Sequence, residues 1–372
     1  MIDNSYVKEF TALVIDCQKS GDFFKVELDS TAFFPEGGGQ GADKGTLSGV
    51  EVCDVQTENG HTYHYVKEAL SGEVVGVINW ETRFDRMQNH TGEHILSGVI
   101  HTKFGYDNIG FHLGDSDVTC DYNGPLTWDD VKAVEAQANS YVFDDRKVTV
   151  SFPEDLSKIN YRSKLDLTEN IRIVTIDGVD CCACCAPHVS STAQVGLIKV
   201  INIEKSHGGT RLHFRCGRRA LLDYDEKQMQ CLKIGELLSA RQFELSECVE
   251  NLQAANKSLE FSIGRMSEKV ALAKLESVEH QADNLIIFIE NADNDALLAL
   301  ANGGRDKTDK IFVALTNSED GYRYIISSNS VNLREKSKEI NDALAGRGGG
   351  RPEMIQGAFQ ADLETIKNYF EK

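Results

Sequence analysis

Proline is scarce in this chain, five residues in 372, and none stands between Arg218 and Ala282, so that stretch holds no residue that would break a helix. Long apolar runs are missing too. No segment reaches the roughly 20 residues that cross a bilayer as a helix, which excludes a membrane partner of that kind. The opening MIDNSYVKEF lacks the basic and apolar regions of a secretory signal, and a cytoplasmic protein is expected. Positive charge is short: 39 Lys and Arg against 58 Asp and Glu leave a formal charge of −19, which opposes non-specific attraction to nucleic acid. Any nucleic-acid contact must then rest on local basic patches. Cysteine is present, at ten residues, but four of them, Cys181, Cys182, Cys184 and Cys185, fall within five positions. Neighbouring thiols cannot staple distant loops in a reducing compartment, so metal binding or thiol reactivity explains them better than a disulfide framework.

Two segments carry metal-ligand spacing. His90-Thr91-Gly92-Glu93-His94 places two imidazoles four residues apart, on one face of a helix. Cys184 and His188 repeat that spacing at the end of the cysteine-rich run. Imidazole with thiolate favours Zn²⁺ over Mg²⁺ and Ca²⁺, and His90, His94, Cys184 and His188 supply the four ligands of one zinc ion per chain. Four protein ligands make a closed, structural shell, whereas a catalytic zinc keeps one position open; spacing leaves both in play. The order His-x-x-Glu-His also occurs in inverted zinc-protease helices, but a peptidase would need a later carboxylate ligand and would leave Cys184 and His188 unused.

At 372 residues the chain fits about two or three domains rather than one core. Short β-branched or aromatic runs at Tyr6–Asp16, Phe23–Leu28, Gly49–Gln56, His61–Val66 and Glu73–Asn79 predict a small β-barrel over residues 1–84. Inside it lies Thr31-Ala32-Phe33-Phe34-Pro35-Glu36-Gly37-Gly38-Gly39-Gln40, with Asp43 following; the glycines suit either close backbone approach to a ligand or a surface hairpin. From Asp85 the pattern turns helical, a second helix is predicted at Trp128–Val142, and strands at Lys147–Phe152, Ile171–Ile176, Gly196–Glu204 and Thr210–Arg215 complete an α+β domain over 85–217. Residues 218–282 read as long helix. Leu245, Val249, Leu252, Asn256, Leu259, Ile263, Met266 and Val270 alternate by four and three, a seam for self-association or for packing on the chain itself. Residues 283–372 alternate strands and helices as a small α/β domain, with a last loop Gly346-Arg347-Gly348-Gly349-Gly350-Arg351-Pro352 that lacks the ending of a Walker A loop.

Taken in order, these motifs resemble the long-form alanyl-tRNA editing proteins, freestanding relatives of the editing and C-terminal portions of alanyl-tRNA synthetase. The resemblance covers essentially the whole chain. Thr31 to Pro35 with Gly37 to Gln40 and Asp43 is similar to the family's glycine-rich motif, Arg83 to His94 to its first metal half-site, Cys184 with His188-Val189 to its second, and residues 346–357 to the loop of its DHH-associated terminal domain. Two departures stand out. Ala186-Pro187 replaces the usual Gly-Thr before the second histidine, and Cys181, Cys182 and Cys185 compete with Cys184, although spacing to His188 favours Cys184.

The resemblance implies an α+β protein with an N-terminal barrel, a zinc-containing editing domain, a helical linker and a terminal α/β domain. It implies hydrolysis of the ester joining serine, and sometimes glycine, to the alanine tRNA. By the same token Thr31 contacts the serine hydroxyl, Gly37, Gly38 and Gly39 border the pocket, and His112 is a further pocket residue or an ordinary core or surface histidine. The tRNA falls to Lys205, Arg211, Arg215, Arg218 and Arg219, with Arg347 and Arg351 on the terminal domain, or these form a solvated face. Homodimerisation through the helical segment or terminal domain is a further expectation. The alternatives are a non-catalytic tRNA binder with structural zinc and a synthetase paralogue without ligase activity, since Met1 leads straight into the barrel.

Overall fold

The structure, a computed structural model, describes residues 4–115, 117–163, 171–206 and 208–371. The chain divides into two compact units, Met1–Gln230 and Cys231–Lys372.

In the first unit β1 (Glu9–Ser20), β2 (Phe23–Leu28), β3 (Gly45–Leu47), β4 (Val50–Glu58), β5 (His61–Val66) and β6 (Glu73–Ile78) close into a barrel in the order β1-β2-β5-β4-β3-β6. Alternation sets which side chains fill it: Val74, Gly76 and Ile78 of β6 are buried while Glu73, Val75 and Val77 face out. The short β3 escapes sequence detection because three residues carry no period. Among Val26, Val55 and Val66 the barrel encloses one polar pair, Thr31 Oγ1 and His64 Nε2, 2.8 Å apart. His64 Nδ1 lies 3.2 Å from the Val26 carbonyl. Nδ1 therefore donates, Nε2 accepts from the Thr31 hydroxyl, and Thr31 Oγ1 accepts from the Phe33 N–H at 3.1 Å.

Helix α1 (Trp80–Phe104) starts five residues before the expected Asp85, because the Asn79 side chain caps it by accepting from the Thr82 N–H. Every residue from Asn89 to Ile100 is buried. Small residues let other segments close on it: a Cβ on Gly98 would sit 2.4 Å from the Val179 carbonyl oxygen, and one on Gly92 2.2 Å from Cys216 Sγ. Around α1 lie the sheet β12-β13-β8-β7, made of β7 (Asn108–Leu113), β8 (Val118–Tyr122), β12 (Ile198–Ser206) and β13 (Gly209–Cys216), and the sheet β11-β10-β9, made of β9 (Val148–Ser151), β10 (Ile173–Ile176) and β11 (Asp180–Ala183). Helix α2 (Trp128–Phe143), opened by a Thr127–Asp130 capping box, adds Val131, Val134, Ala138 and Val142 to the same core.

Arg83, on the first turns of α1, ties the glycine-rich segment to that helix. Its Nε donates to Asp43 Oδ1 at 2.9 Å, and its terminal nitrogens donate to the Ser5 and Ala32 carbonyls at 3.0 and 2.6 Å. Asp43 Oδ2 in turn accepts from the Phe34 N–H at 2.6 Å.

The long helix expected over 218–282 is two helices, α3 (Gly217–Leu238) and α4 (Leu245–Glu276), interrupted where Ser239 takes a left-handed φ of 51°. The second unit then runs β14 (Leu285–Phe288), α5 (Asn294–Gly304), β15 (Phe312–Ser318), β16 (Gly321–Ser327), α6 (Leu333–Ala343), β17 (Gly346–Arg351), β18 (Met354–Phe359) and α7 (Leu363–Phe370). Its sheet has the order β14-β15-β16-β18-β17, parallel only between β14 and β15, which α5 joins. The expected loop at 346–352 is instead mostly strand β17, paired along its length with β18. Glycine permits the close approach, since a Cβ on Gly357 would lie 2.1 Å from the Arg347 carbonyl oxygen.

Burial lowers His64 from the ordinary 6.5 to about 4. Between those values the unfolded chain binds a proton that the folded barrel refuses, so this contribution is intact above pH 6.5 and is lost as pH falls toward 4, up to about 3 kcal/mol. Urea unfolding at a series of pH values should show a shallower acid-side loss in His64→Asn than in the unaltered protein.

Candidate metal centre

Helix α1 presents His90 and His94 one turn apart, and the segment leaving β11 returns Cys184 and His188 to meet them. One ligand atom from each of the four lies within 4.8 Å of all the others. Cys184 Sγ is 3.6 Å from His90 Nε2 and 3.3 Å from His188 Nε2. The His188 ring centre stands 4.9 Å from that of His90 and 4.7 Å from that of His94.

A second side chain aims each imidazole. His90 Nδ1 lies 2.9 Å from Gln40 Oε1, His94 Nδ1 3.0 Å from Asp180 Oδ2, and His188 Nδ1 3.0 Å from Thr91 Oγ1. Asp180 is itself clamped by Arg162, with Nε and a terminal nitrogen both at 2.8 Å. Engaging Nδ1 in this way turns Nε2 of His90 and His188 to the sulfur, the arrangement by which proteins orient metal-binding histidines.

Burial disfavours charge throughout the cluster, and neighbours decide the outcome. It pushes the Cys184 thiol up, but His90 and His188 beside it more than offset this and hold the group well below the usual thiol range. Burial takes His188 down to about 3, so it is a neutral ligand. At His94 burial also opposes charge, yet the Asp180 carboxylate outweighs it and raises the group well above its ordinary value. One thiolate and three oriented imidazoles fit a metal ion, and the donor set is consistent with zinc.

Among the competing thiols the structure brings Cys184 to the cluster. Cys182 belongs to a neighbouring group with His94 and Asp180, and burial pushes its thiol up to about 11. Cys185 is exposed, and Cys181 Sγ lies 3.6 Å from Thr175 Oγ1. Glu93 is buried, its Oε1 accepting from Ser97 Oγ at 2.5 Å and from Asn108 Nδ2.

The glycine-rich segment does border a cavity. Gly37, Gly39, Gln40 and His112 help line a space of about 420 Å³ beside Arg86 and Asp54. Gly38 takes a left-handed φ of 61° in the turn between them and is not in that lining. Gly39, at φ 79°, lets the segment dock on β7: a Cβ there would be 2.2 Å from the Phe111 carbonyl oxygen, and its own carbonyl accepts from the Leu113 N–H at 2.8 Å. The Thr31 hydroxyl is buried in the barrel with His64 and the Phe33 N–H, where it anchors the segment.

The basic run is paired within the first unit. Arg211 pairs with Asp121, Arg215 with Asp223 and Asp117, Arg218 with Glu81, and Arg219 with Asp85. These carboxylates, distant in sequence, neutralise four of the five expected cations. Lys205, Arg347 and Arg351 are exposed and have no ion-pair partner among the described residues. Sequence reasoning missed the orienting roles of Gln40, Thr91 and Asp180. Thr91 adjoins His90, but nothing local ties Gln40 or Asp180 to a histidine 50 or 86 positions away.

Residues 171–212, which include Cys184 and His188, match the threonyl and alanyl tRNA synthetase second additional domain, and residues 282–372 match the DHHA1 domain. The alanyl-tRNA editing protein AlaX-L of Pyrococcus horikoshii is 30% identical, with 97% of this chain and 94% of that one covered. The chain belongs to the alanyl-tRNA editing proteins. A second editing protein of similar length, Aarsd1 of Danio rerio, is 29% identical over 95% of this chain and 91% of its own. The alanine–tRNA ligase of Methanococcus vannielii is 29% identical over 98% of this chain but only 42% of the ligase.

Metal analysis of the purified editing protein should find one zinc per chain. Replacing the aiming carboxylate, Asp180→Ala, should weaken zinc affinity by about 10–100-fold in a competition assay with a chelator, while far-ultraviolet circular dichroism stays unchanged.

Proposed function

We propose that this editing protein hydrolyses the ester between the alanine tRNA and a wrong amino acid, chiefly serine and also glycine. The observation that carries this reading is the buried cluster of His90, His94, Cys184 and His188 beside a glycine-bordered cavity, in a chain whose relatives are named for alanyl-tRNA editing. A bound zinc supplies Lewis acidity for the ester carbonyl or for a water molecule. The chain does the rest. Asp180, Thr91 and Gln40 hold three imidazoles in one orientation, and burial keeps the surroundings at low dielectric, where fixed dipoles act strongly. The cavity of about 420 Å³ lies within the range of small-molecule pockets and has room for the aminoacylated end of a tRNA.

We read the chain as a barrel over 1–84, an editing domain over 85–217, a helical segment over 218–282 and a DHHA1 domain over 283–372. No helix among the described residues is long and apolar enough to cross a membrane, and a cytoplasmic setting suits a tRNA substrate. With the Arg211–Arg219 cations paired internally, Arg347, Arg351 and Lys205 are the preferred phosphate contacts. A shallow dependence of tRNA affinity on salt follows. Val249, Leu252, Leu259, Ile263, Met266 and Val270 leave an exposed apolar stripe along α4, which supports a homodimer through that helix.

Incubation with seryl-, glycyl- and alanyl-tRNA(Ala) in parallel should remove the first two esters and spare the third, with His94→Ala inactive. Binding of all three without loss of any ester would instead favour a non-catalytic binder. Sedimentation should give twice the chain mass, falling to one chain in Ile263→Asp; a monomer before substitution removes the dimer.

A further inference from the structure

Gln40 is held more tightly than its place in a glycine-rich segment requires. Its backbone N–H and carbonyl both pair with Gly37 at 3.0 Å, and it bridges to Leu113 of β7. The residue is 1% exposed and is among those that line the cavity of about 420 Å³. A metal ion held by Nε2 would leave the His90 proton on Nδ1, and the Gln40 amide oxygen, 2.9 Å from Nδ1, is placed to accept it. That assignment directs the amide nitrogen elsewhere. Gln40 Nε2 is buried and has no hydrogen-bond partner among the described residues. Leaving such a donor unpaired costs about 1–3 kcal/mol.

Resting on the deacylase reading, we propose that the Gln40 carboxamide donates to the carbonyl oxygen of the aminoacyl ester and to the oxyanion formed from it. Water adds its oxygen to the carbonyl carbon and the π pair moves onto the carbonyl oxygen, where Gln40 Nε2–H meets the new charge. On collapse the bond to the ribose oxygen breaks, that oxygen takes the proton given up by the water, and the amino acid leaves as its acid. A donor locked in place before substrate arrives needs no reorganisation as charge develops.

Gln40→Glu keeps an acceptor for His90 Nδ1 and loses the donor, while Gln40→Met loses both. With seryl-tRNA(Ala), kcat of Gln40→Glu should fall about 10²–10³-fold, with KM, zinc content and affinity for a non-hydrolysable amide-linked seryl-tRNA unchanged. Gln40→Met should show the same loss of kcat together with weaker zinc binding. Retention of near-normal kcat by Gln40→Glu at full zinc content would overturn the proposal. So would zinc loss that accounts for the activity loss in both variants, which would assign Gln40 to His90 alone. Inactivity of the unaltered protein on seryl-tRNA would instead sink the deacylase reading.

Discussion

Burying the middle of α1 is the constraint to which the rest of the N-terminal unit answers. Twelve consecutive helical residues, Asn89 to Ile100, are enclosed, and only part of that surface is apolar. Each polar side chain taken out of water must find a partner. His90 finds Gln40, Thr91 finds His188, Glu93 finds Ser97 and Asn108, and His94 finds Asp180. The cluster is thus both the site and the solution to a packing problem, because the contacts that satisfy the buried helix are those that aim the imidazoles.

Glycine makes this closure sterically feasible. Gly98 admits the turn at Val179 and so brings Asp180 to His94, while Gly39 admits the Phe111 backbone and so brings Gln40 to His90. Arg83, buried at the base of the same helix, fixes the glycine-rich segment through Asp43 and the Ala32 carbonyl. Thr31 and His64 hold its other end inside the barrel. Pinned at both ends, the segment has little freedom to change shape, which suits a site whose dipoles must be set in advance.

Charge is managed differently in the two units. In the first, arginines on β13 and the start of α3 pair with carboxylates from elsewhere in the unit, so a run that looks basic in one dimension is close to neutral in three. In the second, Arg347 and Arg351 lie on strand β17 and stay exposed. An acidic chain can thereby approach a phosphate backbone through a few unneutralised cations, without a broad positive surface.

The sequence by itself marked most of the elements and the candidate ligands. Short β-branched or aromatic runs marked five of the six barrel strands, and four-residue spacing marked both candidate metal half-sites, since each signal lies within a few residues along the chain. Tertiary structure decided what those signals could not reach. The capping by Asn79, the break at Ser239 and the conversion of residues 346–351 into a strand depend on backbone geometry or on a partner strand. Above all, the hydrogen bonds that aim the histidines, the pairing that neutralises the arginines and the burial of Thr31 join residues tens of positions apart. Chain folding brings such groups together, and in a low-dielectric interior their pairing decides which of them are left to act on a substrate.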